Sequence, residues 1–212
     1  AKWLNAGQTC VAPDYVLVEE AVAEDLTRRL VEELATVRDR AEPTSIINGS
    51  HLGRLESLLE DHGGEELLPR KVDAEARTMA PVVVREPDLD SRLMQEEIFG
   101  PILPVLSVAT VEDAIDFVND RPRPLDLYVF TGSRDTEREV LERTTAGSAC
   151  VNHAVYQVAV PSMPFGGVGP SGMGSYHGKS GFDTFSHTKS VLRRPTRGDL
   201  KAAYPPYPGL VQ

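Results

Sequence analysis

Two rhythms of apolar residues alternate along this chain. Tyr15 to Val18 is a short apolar run with β-branched members, the pattern of a buried strand, and a helical pattern follows it. Val22, Leu26, Leu30 and Leu34 recur at every fourth position, while Glu24, Asp25, Arg28, Arg29, Glu32 and Glu33 fall largely on the other side, which predicts one amphipathic helix. A second helix is predicted over His51 to Glu60, with Leu52, Leu55, Leu58 and Leu59 on its apolar side and Gly63-Gly64 to end it. Pro81 to Arg85 and Ile102 to Val108 read as strands. Thr110 and Asp113 are spaced as a capping box for a helix carrying Ala114, Ile115 and Val118. Leu127 to Phe130 is another strand, Ser133 can cap a helix through Arg143, and Gly147 can end it before the apolar Ala149 to Val151.

Four or five βα-like units result. Parallel strands need crossover helices, so the alternation predicts an α/β fold with a mainly parallel sheet and flanking helices. After Pro161 the texture changes to Gly, Ser, Pro and aromatic residues, and Ala203-Tyr204-Pro205-Pro206-Tyr207-Pro208 reads as an extended tail. No internal repeat is present.

Composition narrows the function classes. With 212 residues and 41% hydrophobic content, the chain can bury a core of its own as one domain, or one domain plus an appendage. A formal net charge of −10 repels nucleic acid and anionic membrane surfaces as partners. No apolar run approaches the roughly 20 residues that cross a bilayer, and Ala1-Lys2-Trp3-Leu4 lacks a signal-peptide layout. Two cysteines in a chain this size suit a reducing, cytoplasmic setting, with a single disulfide left open. The first residue is not Met and a motif begins almost at once, so the chain is expected to be a fragment of a longer polypeptide.

Three segments carry candidate chemistry. In Asn5-Ala6-Gly7-Gln8-Thr9-Cys10, a glycine turn lets backbone amides approach a thiol, which favours a thiolate and an oxyanion site; the plain alternative is a small buried hydrophobe. Gln95-Glu96-Glu97-Ile98-Phe99-Gly100-Pro101 sets carboxylates and an aromatic before a strand, suited to ribose hydroxyls and a nicotinamide ring, or else to an acidic turn with a core Phe. Pro164-Phe165-Gly166-Gly167-Val168-Gly169-Pro170-Ser171-Gly172-Met173-Gly174 is a glycine-dense loop that can approach another surface closely. It contains a literal G-x-G-x-x-G at 167–172, but no strand leads into it and no amphipathic helix follows, so it is not read as a dinucleotide site. His51, His62, His153, His177 and His187 lack metal-ligand spacing, so no metal site is expected, and Cys150 reads as strand packing.

Taken in order, these three segments resemble the aldehyde dehydrogenase superfamily, whose catalytic domain carries Gly-Gln-x-Cys, Glu-Glu-Ile-Phe-Gly-Pro and Pro-Phe-Gly-Gly. Ala146-Gly147-Ser148 through Val151-Asn152 also looks like a family segment, so the resemblance covers nearly the whole chain. Ala12-Pro13-Asp14-Tyr15, Pro124 through Phe130 and Ser175-Tyr176-His177-Gly178-Lys179 look like the class 3, fatty-aldehyde and coniferyl-aldehyde branch.

The resemblance implies that Cys10 attacks an aldehyde as a thiolate, giving a hemithioacetal whose hydride passes to NAD or NADP and a thioester that is then hydrolysed. It further implies that Glu97 holds the nicotinamide ribose, that Phe99 lies beside the nicotinamide ring, that the Cys10 N–H serves an oxyanion hole, and that Phe165 lines the aldehyde pocket. Residues 1–180 would be the catalytic thiol domain and 181–212 an oligomerisation strand with a proline-rich tail, in a protein that is a homodimer at full length. The dinucleotide-binding domain, the general-base Glu and the oxyanion Asn of the family would lie upstream of Ala1. Losing such a base costs about 10²- to 10⁴-fold and an oxyanion donor about 10²- to 10³-fold, so the chain alone is expected to be nearly inactive.

Two other readings stand beside this one. A cysteine hydrolase would pair Cys10 with His153 or His177. A non-catalytic assembly module would use Phe182 to Leu192, which alternates well enough for an edge strand able to drive dimerisation.

Overall fold

The structure, a computed structural model, describes residues 1–38, 44–198 and 204–205. A short 3₁₀ turn at Leu4–Gly7 leads to strand β1 (Val16–Glu19) and helix α1 (Glu20–Arg38). Helix α2 (Gly49–Leu58) starts where Asn48 accepts a hydrogen bond from the His51 N–H, and buries Leu52, Leu55 and Leu58 as its spacing predicts. Three short strands follow, β2 (Glu65–Glu66), β3 (Val72–Asp73) and β4 (Thr78–Met79), and then β5 (Val82–Arg85). Helix α3 (Arg92–Gln95) precedes β6 (Ile102–Val108), and the Thr110–Asp113 capping box opens α4 (Val111–Asn119). Strand β7 (Asp126–Val129), helix α5 (Arg134–Arg143) and strand β8 (Ser148–Val151) form a βαβ unit. Helix α6 (Gly178–Thr184) lies beyond the glycine-rich loop.

The α/β fold with mainly parallel strands is the one the alternation predicts. Its main sheet runs β1-β6-β5-β2, parallel except for β2, while β7 and β8 pair in parallel as a separate ribbon and β3 and β4 form an antiparallel one. Val82, Val83, Val84 and Ile102 are fully buried, because helices or loops cover both faces of these central strands. One face joins Leu52, Leu55 and Leu58 of α2 to Val82, Val84, Ile98 and Ile102. The other packs Val83, Leu103 and Val105 against Leu34, Leu30 and Val31 of α1.

Helix α1 turns differently from its expected stripe. Val22 and Leu26 are exposed, whereas Ala23, Leu30, Val31 and Leu34 pack inward and Thr27 is buried with its hydroxyl donating to the Ala23 carbonyl at 2.6 Å. Residues four apart advance about 400° around a 3.6-residue helix, so a strict fourth-residue row drifts off the buried face after two steps.

The edge strand expected over 182–192 is not formed. Residues up to Thr184 belong to α6, with Lys179 paired to Asp183 one turn on, and residues 185–192 carry no regular element. A strand needs a hydrogen-bonding neighbour, and among the described residues the segment has none, so its first part satisfies its backbone locally as a helix. Most of the proline-rich tail lies outside the described residues.

Candidate active site

The Cys10 segment is a strained connection held by side chains. Asn5 and Ala6 sit at φ 51° and 52° and Gly7 at φ 74°, all left-handed. Such backbone persists only when its surroundings over-determine it. The Asn5 amide donates to the Gln8 carbonyl, and the Gln8 amide donates to the carbonyls of Asn5 and Ser45 while its oxygen accepts from the Ile47 N–H at 2.9 Å. Gly7 has no alternative, because a Cβ there would run into the carbonyl of Gly100. A turn then closes from the Ala12 N–H to the Thr9 carbonyl at 3.0 Å, with Cys10 at its crest. Cys10 is an exposed free thiol, while Cys150 is a half-buried one in β8, so the buried-hydrophobe alternative fits Cys150 and not Cys10.

The second segment, between α3 and β6, meets the first. Ile98 is fully buried, Glu97 beside it is exposed, and Phe99 is half-buried at φ 47°. The Ile98 N–H donates to Asp14 Oδ1 at 3.2 Å, and Arg54 of α2 donates to the carbonyls of both Glu97 and Ile98. Lys2 is almost wholly buried, with its Nζ 3.5 Å from Asp14 Oδ1. Burial pushes the Lys2 ammonium down and the Asp14 carboxyl up, each opposed by the charge of the other. Partial burial, then the Asp14 charge, holds the Glu97 carboxyl above the ordinary carboxylate range, against the pull of Arg54 and Lys2.

From the other side the Cys10 segment meets β7. The Tyr128 hydroxyl donates to the Val11 carbonyl at 2.7 Å. Gln157, buried on a 3₁₀ turn at Tyr156–Ala159, donates to Tyr128 Oη and to Asp126 Oδ1, which also accepts from the Ser148 hydroxyl. Burial pushes the Tyr128 phenol up to about 12, so it stays a hydrogen-bond donor at neutral pH.

Cys10, Glu97 and Phe99 therefore stand on two segments joined by hydrogen bonds. Phe165 is held elsewhere, in an antiparallel bridge to Tyr176, with its ring against Tyr176 and stacked on His177. Its loop lies on the β8 end, since a Cβ on Gly147 would strike the Gly166 carbonyl. The G-x-G-x-x-G stretch folds back on itself, with Gly169 bridged to Gly172 and Ser171 bonded to Val168, as a turn rather than a strand-to-helix entry. His153 hydrogen-bonds to its neighbour Ala154, and His177 packs among aromatic rings. Among the described residues neither is hydrogen-bonded to Cys10, which leaves the hydrolase reading without its thiol–imidazole pair. No group of His, Cys, Asp and Glu among those residues could hold a metal ion, and no helix among them is long and apolar enough to cross a membrane.

Sequence reading missed Lys2, Arg54 and Gln157, and Asp14 and Tyr128 entered it only as letters in motifs. Nothing beside them marked Lys2 or Gln157, whose sequence neighbours are exposed or half-buried.

The family model for aldehyde dehydrogenases matches residues 1–191. The chain belongs to the aldehyde dehydrogenase family. It is 43% identical to mouse aldehyde dehydrogenase family 3 member A2 over 215 residues, covering 97% of this chain and 43% of that protein. It is also 43% identical to a probable coniferyl aldehyde dehydrogenase of Pseudomonas aeruginosa, covering 100% of this chain and 46% of that protein. Among solved structures, the substrate-bound state of Staphylococcus aureus AldH superposes with a TM-score of 0.88 at 40% identity, over 98% of this chain and 46% of that one. The chain thus spans less than half the length of these relatives, and lies in the class 3, fatty-aldehyde and coniferyl-aldehyde branch of the family.

Proposed function

We propose that this chain is the thiol-bearing catalytic domain of a longer class 3-like aldehyde dehydrogenase that oxidises aldehydes to carboxylic acids. The observation that carries the reading is the exposed Cys10 thiol on a segment hydrogen-bonded, through Asp14, to the segment bearing Glu97 and Phe99.

In this reading the Cys10 sulfur bonds to the aldehyde carbon and the carbonyl electron pair moves to oxygen, giving a hemithioacetal. The Cys10 N–H, which has no partner within the chain among the described residues, is available to that oxyanion. NAD or NADP, when bound, supplies the hydride acceptor. The residues suit a nicotinamide riboside: Glu97 offers two free acceptor oxygens for ribose hydroxyls, and Phe99 is half-buried beside it in a strained, fixed backbone. After oxidation Cys10 retains the acyl group as a thioester until water releases the acid. Phe165 lines the aldehyde pocket in the assembled enzyme. Fatty and aromatic aldehydes are the proposed substrate classes and a homodimer the proposed full-length state, in a reducing, cytoplasmic setting with which two free cysteines accord.

The test is nucleotide reduction followed at 340 nm in the full-length enzyme. Cys10→Ser is expected to abolish it and Cys150→Ser to leave it intact; activity surviving in Cys10→Ser overturns the assignment. Ester hydrolysis lost in His153→Ala or His177→Ala, but not in Glu97→Gln, would favour the hydrolase instead.

A further inference from the structure

The backbone from Glu97 to Phe99 belongs to no helix or strand, yet three of its polar groups are held by side chains. Arg54 Nη1 donates to the Glu97 carbonyl at 3.2 Å, Arg54 Nη2 donates to the Ile98 carbonyl, and the Ile98 N–H donates to Asp14 Oδ1 at 3.2 Å. One guanidinium spans two successive carbonyls, a fixed fork that a lysine cannot reproduce. Asp14 lies four residues past Cys10, so a single carboxylate ties the thiol segment to the Glu97 segment. Lys2 Nζ, buried and without a hydrogen-bond partner among the described residues, stands 3.5 Å from that carboxylate as its counter-charge. Burying a lysine is costly, and as packing alone an apolar side chain would fill this place more favourably.

We propose that Arg54 and Asp14 are positioning residues that set the Glu97 carboxylate against the Cys10 segment, with Lys2 holding Asp14 in place. The proposal rests on the reading of Glu97 as the nicotinamide-ribose ligand. Arg54 fixes the peptide that carries Glu97 relative to α2, and Asp14 fixes it relative to the thiol. Removing either lets the carboxylate wander while leaving the thiol in its turn. The loss falls on nucleotide binding rather than on the thiol chemistry.

The test compares Arg54→Met, Arg54→Lys, Asp14→Asn and the Lys2→Met/Asp14→Asn double variant with the parent. Asn keeps an acceptor for the Ile98 N–H but strands a buried ammonium; the double variant removes that stranded charge. Amide exchange at Ile98 and Phe99 is read alongside the thermal midpoint, the KM for NAD+ or NADP+, and the rate of Cys10 alkylation without nucleotide. Arg54→Met is expected to speed exchange in this segment and raise the nucleotide KM about ten-fold, as for loss of a charged hydrogen bond, with Cys10 alkylation unchanged. Arg54→Lys should recover part of both, and the double variant should recover the thermal midpoint that Asp14→Asn loses to the stranded ammonium but not the slow exchange at Ile98, since the Lys2–Asp14 pair is gone. Unchanged exchange at Ile98 and Phe99 in Arg54→Met, or exchange accelerated equally across the whole chain, overturns the proposal. Glu97→Gln separates the two ideas. A normal KM in Glu97→Gln, with the segment still loosened by Arg54→Met, removes the cofactor role of Glu97 and leaves the positioning geometry standing.

Discussion

The two sides that grip the Cys10 segment are built differently. On the Glu97 side, Leu55, Val82, Val84, Ile98 and Ile102 are wholly buried, and the loop bearing Glu97 is anchored in that core by Ile98. On the Tyr128 side, between residues 126 and 192, Val129 and Gln157 are the buried residues, helix α5 buries none, and Phe130 is 68% exposed. Both sides use parallel strands, which are ordinarily covered on both faces, yet only the first is covered so. The contrast shows that one wall of the site is set by hydrophobic packing and the other by a chain of hydrogen bonds from Tyr128 to Gln157, Asp126 and Ser148. Regions with few buried apolar contacts open more readily, so within this chain the second wall is the softer one.

The contrast can be broken most directly at the core. Leu55→Ala is expected to lower stability by about 2–5 kcal/mol, because this side chain is fully buried against Gly100, whereas Val129→Ala should cost clearly less. Denaturant unfolding of the two variants decides it, and equal losses would erase the distinction.

A smaller effect sharpens the other wall. Tyr128→Phe keeps the ring and removes two neutral hydrogen bonds, the one donated to the Val11 carbonyl and the one accepted from Gln157, so a drop in turnover of about 2- to 10-fold is expected with the nucleotide KM unchanged. The same residue has a signature in alkali. Its folded-state acidity is weaker than the ordinary tyrosine value of 10.0, reaching about 12, so its stabilising contribution is complete below about pH 10 and lost as pH rises through 12. Burial raises Tyr15 as well, so phenolate absorbance should show a late component to which Tyr128 contributes, and Tyr128→Phe should shrink that component and flatten the loss of stability between pH 10 and 12.

Least is expected at the surface. Arg143 pairs with Glu112 and Glu139 in open solvent, and Arg143→Ala should leave the thermal midpoint unchanged, since exposed ion pairs contribute little. A large drop there would mean that α4 and α5 depend on that pair rather than on packing.

The sequence alone determined the main strands and helices and the family. Strand and helix periods, the Thr110–Asp113 capping box and the Ser133 cap are local properties, written within a few residues of where they act. The motifs that carry the proposed site residues Cys10, Glu97, Phe99 and Phe165 were legible because each is a short segment with its own chemistry. Tertiary structure alone decided the strand order, the split of β7 and β8 from the main sheet, which face of α1 is buried, and the helical start of residues 182–192. It also brought Asp14 to Ile98 across 84 residues and Tyr128 to Val11 across 117. The physical reason is range. Periodicity records which side of an element avoids water, but the partner of a buried polar group is whatever distant backbone the packing carries to it, and nothing in the neighbouring residues marks that choice.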